Sequence, residues 1–170
     1  MFPGTVARPV ALKRVGRLRF PIYELAGPDG PIAHLGRNSS LNVFFGRGRR
    51  VQFLDGTLWR IKSGTFAQFI IPIISSPEGR VADSGPLPAK RSYGINTTDG
   101  SYAIFPIGFV DGERSSEWVM TKHEREVATV DARAGVLTPI EPVPIAGVLL
   151  AFTLISHGIP GEGKLLPSPS

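Results

Sequence analysis

Four features of the sequence carry residue types that could do chemistry. The segment Gly158-Ile159-Pro160-Gly161-Glu162-Gly163-Lys164 has the spacing G-x-x-x-x-G-K of a phosphate-cradling loop. Such a loop needs a hydroxyl residue after the lysine for Mg²⁺ and a following helix whose N-terminus faces the phosphates. Leu165 stands in the hydroxyl's place, and the residues after it carry Pro167 and Pro169, so the segment reads as a tail. Gly46-Arg47-Gly48-Arg49-Arg50 is a second candidate, since guanidinium groups and turn N–H groups together grip phosphate. The plainer account is a glycine hairpin with exposed arginines. If the basic residues bind phosphate or lipid, the candidates are Arg14, Arg17, Arg19, Arg47, Arg49 and Arg50.

The third feature is a set of three histidines, His34, His123 and His157, which lack the i, i+4 or H-x-E-x-x-H spacing of a metal site. With cysteine absent as well, neither a thiolate metal site nor a thiolate nucleophile is available, and no metal or cofactor is expected. The fourth is the pair Glu124 and Glu126, two acids close in sequence with no cleft implied around them. No G-x-S-x-G elbow occurs. The expectation is therefore a non-enzymatic protein, with a hydrolase on an unfamiliar β fold left as an alternative.

Composition narrows the setting of these residues. At 170 residues the chain suits one domain that buries roughly 70% of its unfolded surface. Apolar residues make up 42% and charged residues 19%, with a mean hydropathy of +0.07, which is far from disordered composition. Net charge is +5 and unevenly spread. Through Arg50 nine Lys/Arg face two acids, a net +7; the remainder has ten against twelve, a net −2. A basic N-terminal third suits anionic partners such as lipid headgroups or nucleic acid. Nucleic acid is disfavoured, because no RNP-like pattern is present and Phe44-Phe45 is the one aromatic pair beside the Arg-rich loop. Met1 to Phe20 lacks an apolar run of seven or more, so no secretory signal is expected and the placement expected is cytoplasmic, peripheral to a membrane if lipid is bound.

The elements that must position these residues are short strands. Gly 20 and Pro 16 supply the turns of an all-β chain. Arg19 to Leu25 runs to Gly27-Pro28-Asp29-Gly30 and returns from Ile32 to Leu35; Asn42 to Phe45, Arg49 to Leu54 and Thr57 to Lys62 surround Gly46-Arg47-Gly48 and Asp55-Gly56. Ala67 to Ser75 ends at Pro77-Glu78-Gly79, Arg91 to Thr97 turns at Asp99-Gly100 into Ser101 to Phe109, and Glu117 to Thr121, Arg125 to Asp131 and Val136 to Ile140 follow. About ten to twelve sequential strands exceed an ordinary open sheet, so a closed antiparallel barrel or a two-layer sandwich is expected. Most of Phe53, Trp59, Phe69, Phe105 and Trp118 are assigned to its core.

Val143 to Ser156 is apolar on every side, with Pro144 suited to a first turn and Gly158 to a stop. A helix of this kind is buried in a core or in a bilayer. It is shorter than the ~20 residues that a membrane span requires, which favours the core; a membrane-anchored protein with residues 143–159 inserted is the alternative. His157 would place a cation at the helix C-terminus.

Consecutive antiparallel hairpins followed by one wholly apolar helix resemble the tubby-like superfamily of tubby C-terminal domains, LURP-one-related proteins and phospholipid scramblases. The resemblance covers Arg19 to Ile159 and rests on order and pattern rather than on tags such as Phe53-Leu54-Asp55-Gly56. It implies a closed barrel threaded by the helix 143–158, preceded by residues 1–18 as a basic extension or first strand and followed by a flexible tail, 160–170. It also implies a non-enzymatic module, associated in some members with phosphoinositide or membrane lipid, so the partner expected is anionic membrane lipid; the expected state is a monomer.

Overall fold

The computed structural model describes residues 4–15, 23–37, 49–66, 69–88, 92–107 and 117–157. Its strands are β1 (Thr5–Val6), β2 (Val10–Arg14), β3 (Tyr23–Gly27), β4 (Gly30–Arg37), β5 (Arg49–Phe53), β6 (Leu58–Phe66) and β7 (Phe69–Ser76). They continue as β8 (Gly79–Pro86), β9 (Tyr93–Thr97), β10 (Gly100–Pro106), β11 (Glu117–Lys122), β12 (Arg125–Asp131), β13 (Val136–Pro139) and β14 (Val143–Pro144), and the described residues end in α1 (Ile145–His157). Strands β2 to β13 form a closed antiparallel barrel in which every neighbour is the next in sequence, except that β13 closes on β2. The expected barrel is thus present with twelve strands.

Strand alternation sets the interior. Val10 and Leu12, Leu25, Ala33 and Leu35, Val51 and Phe53, Ile61, Ile74, Ile95, Ile104, Met120 and Leu137 are all buried and belong to one apolar cluster. With a strand spacing of about 4.8 Å and a tilt of about 40°, twelve strands close at a backbone radius of about 12 Å, too wide for inward side chains alone to fill. The helix fills it. All eleven residues from Ile145 to Ile155 are buried, and the helix packs on β7, β8 and β9 while sharing its apolar cluster with residues from every barrel strand. Its single described hydroxyl, that of Thr153, donates to Leu149 O at 2.7 Å, so no side-chain polar atom is left unpaired there. Among the described residues no helix is long and apolar enough to cross a membrane.

The helix is shorter than expected at its start: Val143 and Pro144 pair with Val6 and Thr5 as β14 against β1. Ile145 N donates to Gly4 O at 3.4 Å, so the chain's first strand clamps the base of the helix. Barrel structure likewise begins before residue 19, because β2 is the strand that closes the ring. Strand β8 returns from the Pro77-Glu78 turn where the sequence pattern shows no apolar run; its inward residues are the small Ala82 and Ser84. Phe53, Trp59 and Trp118 are core, with Phe53 and Trp59 edge to face at 4.8 Å. Phe105 is not: it pairs with Val119 on the outer register between the inward Ile104 and the barrel end. The side chain of Phe69, the strand over Asn42 to Phe45, the terminal Ser156 and His157 side chains and the 158–170 tail lie outside the described side chains or residues.

An up-and-down barrel has two ends. The turns Pro28-Asp29, Asp55-Gly56, Pro77-Glu78, Thr98-Asp99 and His123-Glu124 lie at the end where the helix enters, as Gly147 shows by its approach to Thr97. We call this the entry end and the other the far end. At Asp55 the carboxylate accepts the Thr57 N–H at 2.9 Å, which lowers its pKa. Gly100, at φ +133°, follows the Thr98-Asp99 turn, and a Cβ there would meet Lys122 Cε at 3.1 Å. The β11–β12 turn is different, since His123 and Glu124 both have positive φ, +51° and +63°, without being glycine.

Two stability predictions follow from these contacts. Phe152→Ala empties the centre of the barrel and destabilises it by about 3–5 kcal/mol, read as a shift in the urea midpoint. Glu124→Gly relieves left-handed backbone in an exposed turn and stabilises by about 1 kcal/mol, read as a rise in Tm.

Candidate functional site

The basic residues are organised by two registers. On the inward register, Arg14 continues Val10 and Leu12 and pairs with Tyr23, while Arg49 continues Phe53 and Val51 and pairs with Arg37 on β4. Both positions mark the far ends of their strands, past the point where the buried side chains stop. Arg49 is half-buried, and its guanidinium lies over the Tyr23 ring at 5.1 Å from the centroid. Burial lowers its pKa, with Tyr23 opposing, but a guanidinium stays cationic at any physiological pH.

On the outward register, Arg50 sits directly between Gly36 of β4 and Arg60 of β6. Lys62 follows two residues after Arg60 on the same outer face. Arg50, Arg60 and Lys62 are all exposed. Like charges directly opposite on a sheet destabilise it, so an Arg–Arg cross-strand pair calls for an anion nearby. Among the described residues none is supplied: the ion pairs there are Arg8–Asp29, His34–Glu24 at 3.3 Å, Arg80–Asp83 at 3.5 Å and Arg125–Glu141 at 2.9 Å. Arg14, Arg50, Arg60 and Lys62 take part in none of them. From Pro31 to Ser76 the sequence contains six Lys/Arg and a single acid, Asp55, which lies in an entry-end turn.

Of the six arginines singled out from sequence, the fold therefore brings Arg14, Arg49 and Arg50 to one corner of the barrel on β2 and β5; Arg17, Arg19 and Arg47 lie outside the described residues. Arg60 and Lys62 belong with them and were not signalled by the Arg-rich loop. The clue is the alternation Leu58-Trp59-Arg60-Ile61-Lys62, which puts both cations on the face opposite the core.

A shallow groove of about 330 Å³ crosses the outer face of the neighbouring strands, lined by Ile71, Ile73, Asp83, Gly85 and Asn96 among others. Its polar side chains are engaged with each other: Asn96 Nδ2 donates to Asp83 Oδ1 at 2.8 Å, and Arg80 pairs with the same carboxylate at 3.5 Å. At the entry end Lys122 lies over Tyr102 at 5.3 Å and donates to Asp99 O at 3.0 Å. Burial raises the Tyr102 pKa, and Asp99 and Glu141 add to the shift. Among the described residues no group of three or more His, Asp or Glu could hold a metal ion.

The repulsion can be measured without any ligand. Arg60→Thr raises stability by a few tenths of a kcal/mol in dilute buffer, and the gain shrinks in molar salt as the Arg50 charge is screened. A stability loss at low salt would show that Arg60 has a compensating partner. No family model matches the chain, and no match was found among curated proteins or solved structures.

Proposed function

We propose that this chain is a tubby-like barrel acting as a non-enzymatic module that binds anionic phospholipid through the basic corner on β2, β5 and β6. The observation that carries the reading is the Arg50–Arg60 cross-strand pair, exposed, flanked by Lys62 and served by no carboxylate among the described residues. Guanidinium groups match phosphate oxygens in geometry as well as charge. The barrel interior is occupied by its own helix, so a ligand is met on the outside. Charged residues on the outer register, such as Lys13, Arg50, Arg60 and Lys62, suit a surface that faces water and headgroups rather than acyl chains.

Each basic side chain close to an anionic surface contributes about 1 kcal/mol. Replacing Arg50 and Arg60 together by Gln should weaken binding by about 2 kcal/mol, roughly 30-fold. The test is cosedimentation with phosphatidylcholine vesicles that do or do not contain phosphatidylserine. The expected result is binding to the anionic vesicles alone, lost with rising salt, and lost with Arg50→Glu/Arg60→Glu while the circular dichroism of the barrel is kept. Equal binding to neutral vesicles, or binding unchanged by the charge reversal, removes the reading.

A further inference from the structure

Among the described residues the two ends of the barrel differ in charge. Each of the five hairpin turns at the entry end carries one carboxylate: Asp29, Asp55, Glu78, Asp99 and Glu124. The cations at that end are engaged, Arg8 with Asp29, Arg80 with Asp83, Lys122 with the Asp99 carbonyl and Arg125 with Glu141. At the far end Arg14 closes β2, Arg37 closes β4 and Arg49 opens β5, with Arg50 next to it. Among the described residues two acids also lie there, Glu117 and Asp131, paired with each other in register on β11 and β12, four to six strands around the ring from β4 and β5 and two to three from β2. Asp131 accepts the N–H groups of Arg133 and Ala134, both at 3.0 Å. Among the described residues, the far-end cations gather in the β2–β6 corner, apart from Arg133 in the β12–β13 turn beside Asp131. Val15, an apolar residue 52% exposed, directly follows Arg14 in that corner.

From this segregation we infer that the barrel sits on an anionic bilayer tipped onto the β2–β6 corner of its far end, with the acidic turns pointing away from the headgroups. The inference rests on the phospholipid reading above and adds its geometry. The helix of 13 residues spans about 20 Å along the barrel. The screening length is about 10 Å at 0.1 M salt. With the corner down, the arginines lie nearer the headgroups than the five carboxylates do, with Asp55, at the turn of the Arg50–Arg60 hairpin, the least distant of the five along that hairpin. Lying on its side, the barrel would bring some acidic turns equally near and lose part of the attraction. Val15 then meets the headgroup boundary, where an apolar side chain beside arginines is well placed.

The absence of cysteine makes the orientation measurable, because a single introduced thiol is the only one to label. Val15→Cys reports the far-end corner, and Leu54→Cys, at a residue 64% exposed beside Asp55, reports the entry end. Each variant carries an environment-sensitive fluorophore and is bound to phosphatidylcholine–phosphatidylserine vesicles containing spin-labelled lipid. The expected result is a blue shift and quenching at position 15 with the spectrum at position 54 unchanged. Quenching at both positions, at position 54 alone, or at neither while the protein cosediments overturns the orientation and leaves the phospholipid reading standing. Failure of the unlabelled chain to cosediment, or binding to a single-stranded oligonucleotide in place of vesicles, overturns both.

Discussion

The burial of α1 inside a ring of twelve strands is the constraint on which the rest depends. A ring of that size has a lumen that inward side chains cannot close, and a water-filled lumen would leave the apolar inner register exposed. A helix with polar residues on any face would be equally unsuitable, because the sheet surrounds it. Ile145 to Ile155 meet the requirement by being apolar all round, and the one hydroxyl among them, Thr153, bonds back to its own helix. The clamp of β1 on β14 fixes where the helix enters, so the barrel and its axis are set by the two ends of the described chain together.

Because the interior is spent on packing, chemistry is displaced to the surface and the ends. The turns at the entry end are built from residues that favour tight reversal, and Asp or Glu is among them at each one. Asp55, which accepts the Thr57 N–H, shows the structural reason for an acid in such a place. Six of the described cations, by contrast, collect where strands β2, β4 and β5 run out and on the outer face of β5 and β6: Arg14, Arg37, Arg49, Arg50, Arg60 and Lys62. Arg49 bridges the two settings, stacked on Tyr23 at the rim with its neighbour Arg50 facing outward.

Much of the fold was legible along the chain. Turn dipeptides and alternation located most hairpins, and the length and apolarity of 143–156 pointed to an enclosed helix. What escaped has physical causes. Strand β8 carries Ala82 and Ser84 on its inward face because it lies against the helix, and small residues leave no apolar run to read. Phe105 looks like core by type, yet a one-residue difference in register turns it outward beside Val119. Residues 1–18 could be read from pattern as a basic extension or as a first strand, because the far half of β2, Lys13 and Arg14, leaves the core just where the strand ends.

The sequence by itself determined a β-rich domain, its turns, the apolar helix and the excess of cations before residue 50, since these depend on local pattern and composition. Tertiary structure decided which cations are neighbours. Arg50 and Arg60 are ten positions apart and become adjacent only through the β5–β6 register, while Arg49, next to Arg50 in sequence, is turned to the other face by the pleat. Likewise, the five acidic turns share one end only because an up-and-down barrel returns every second connection to the same side. Charge composition is a property of the chain, but a charged surface is a property of strand order, register and closure.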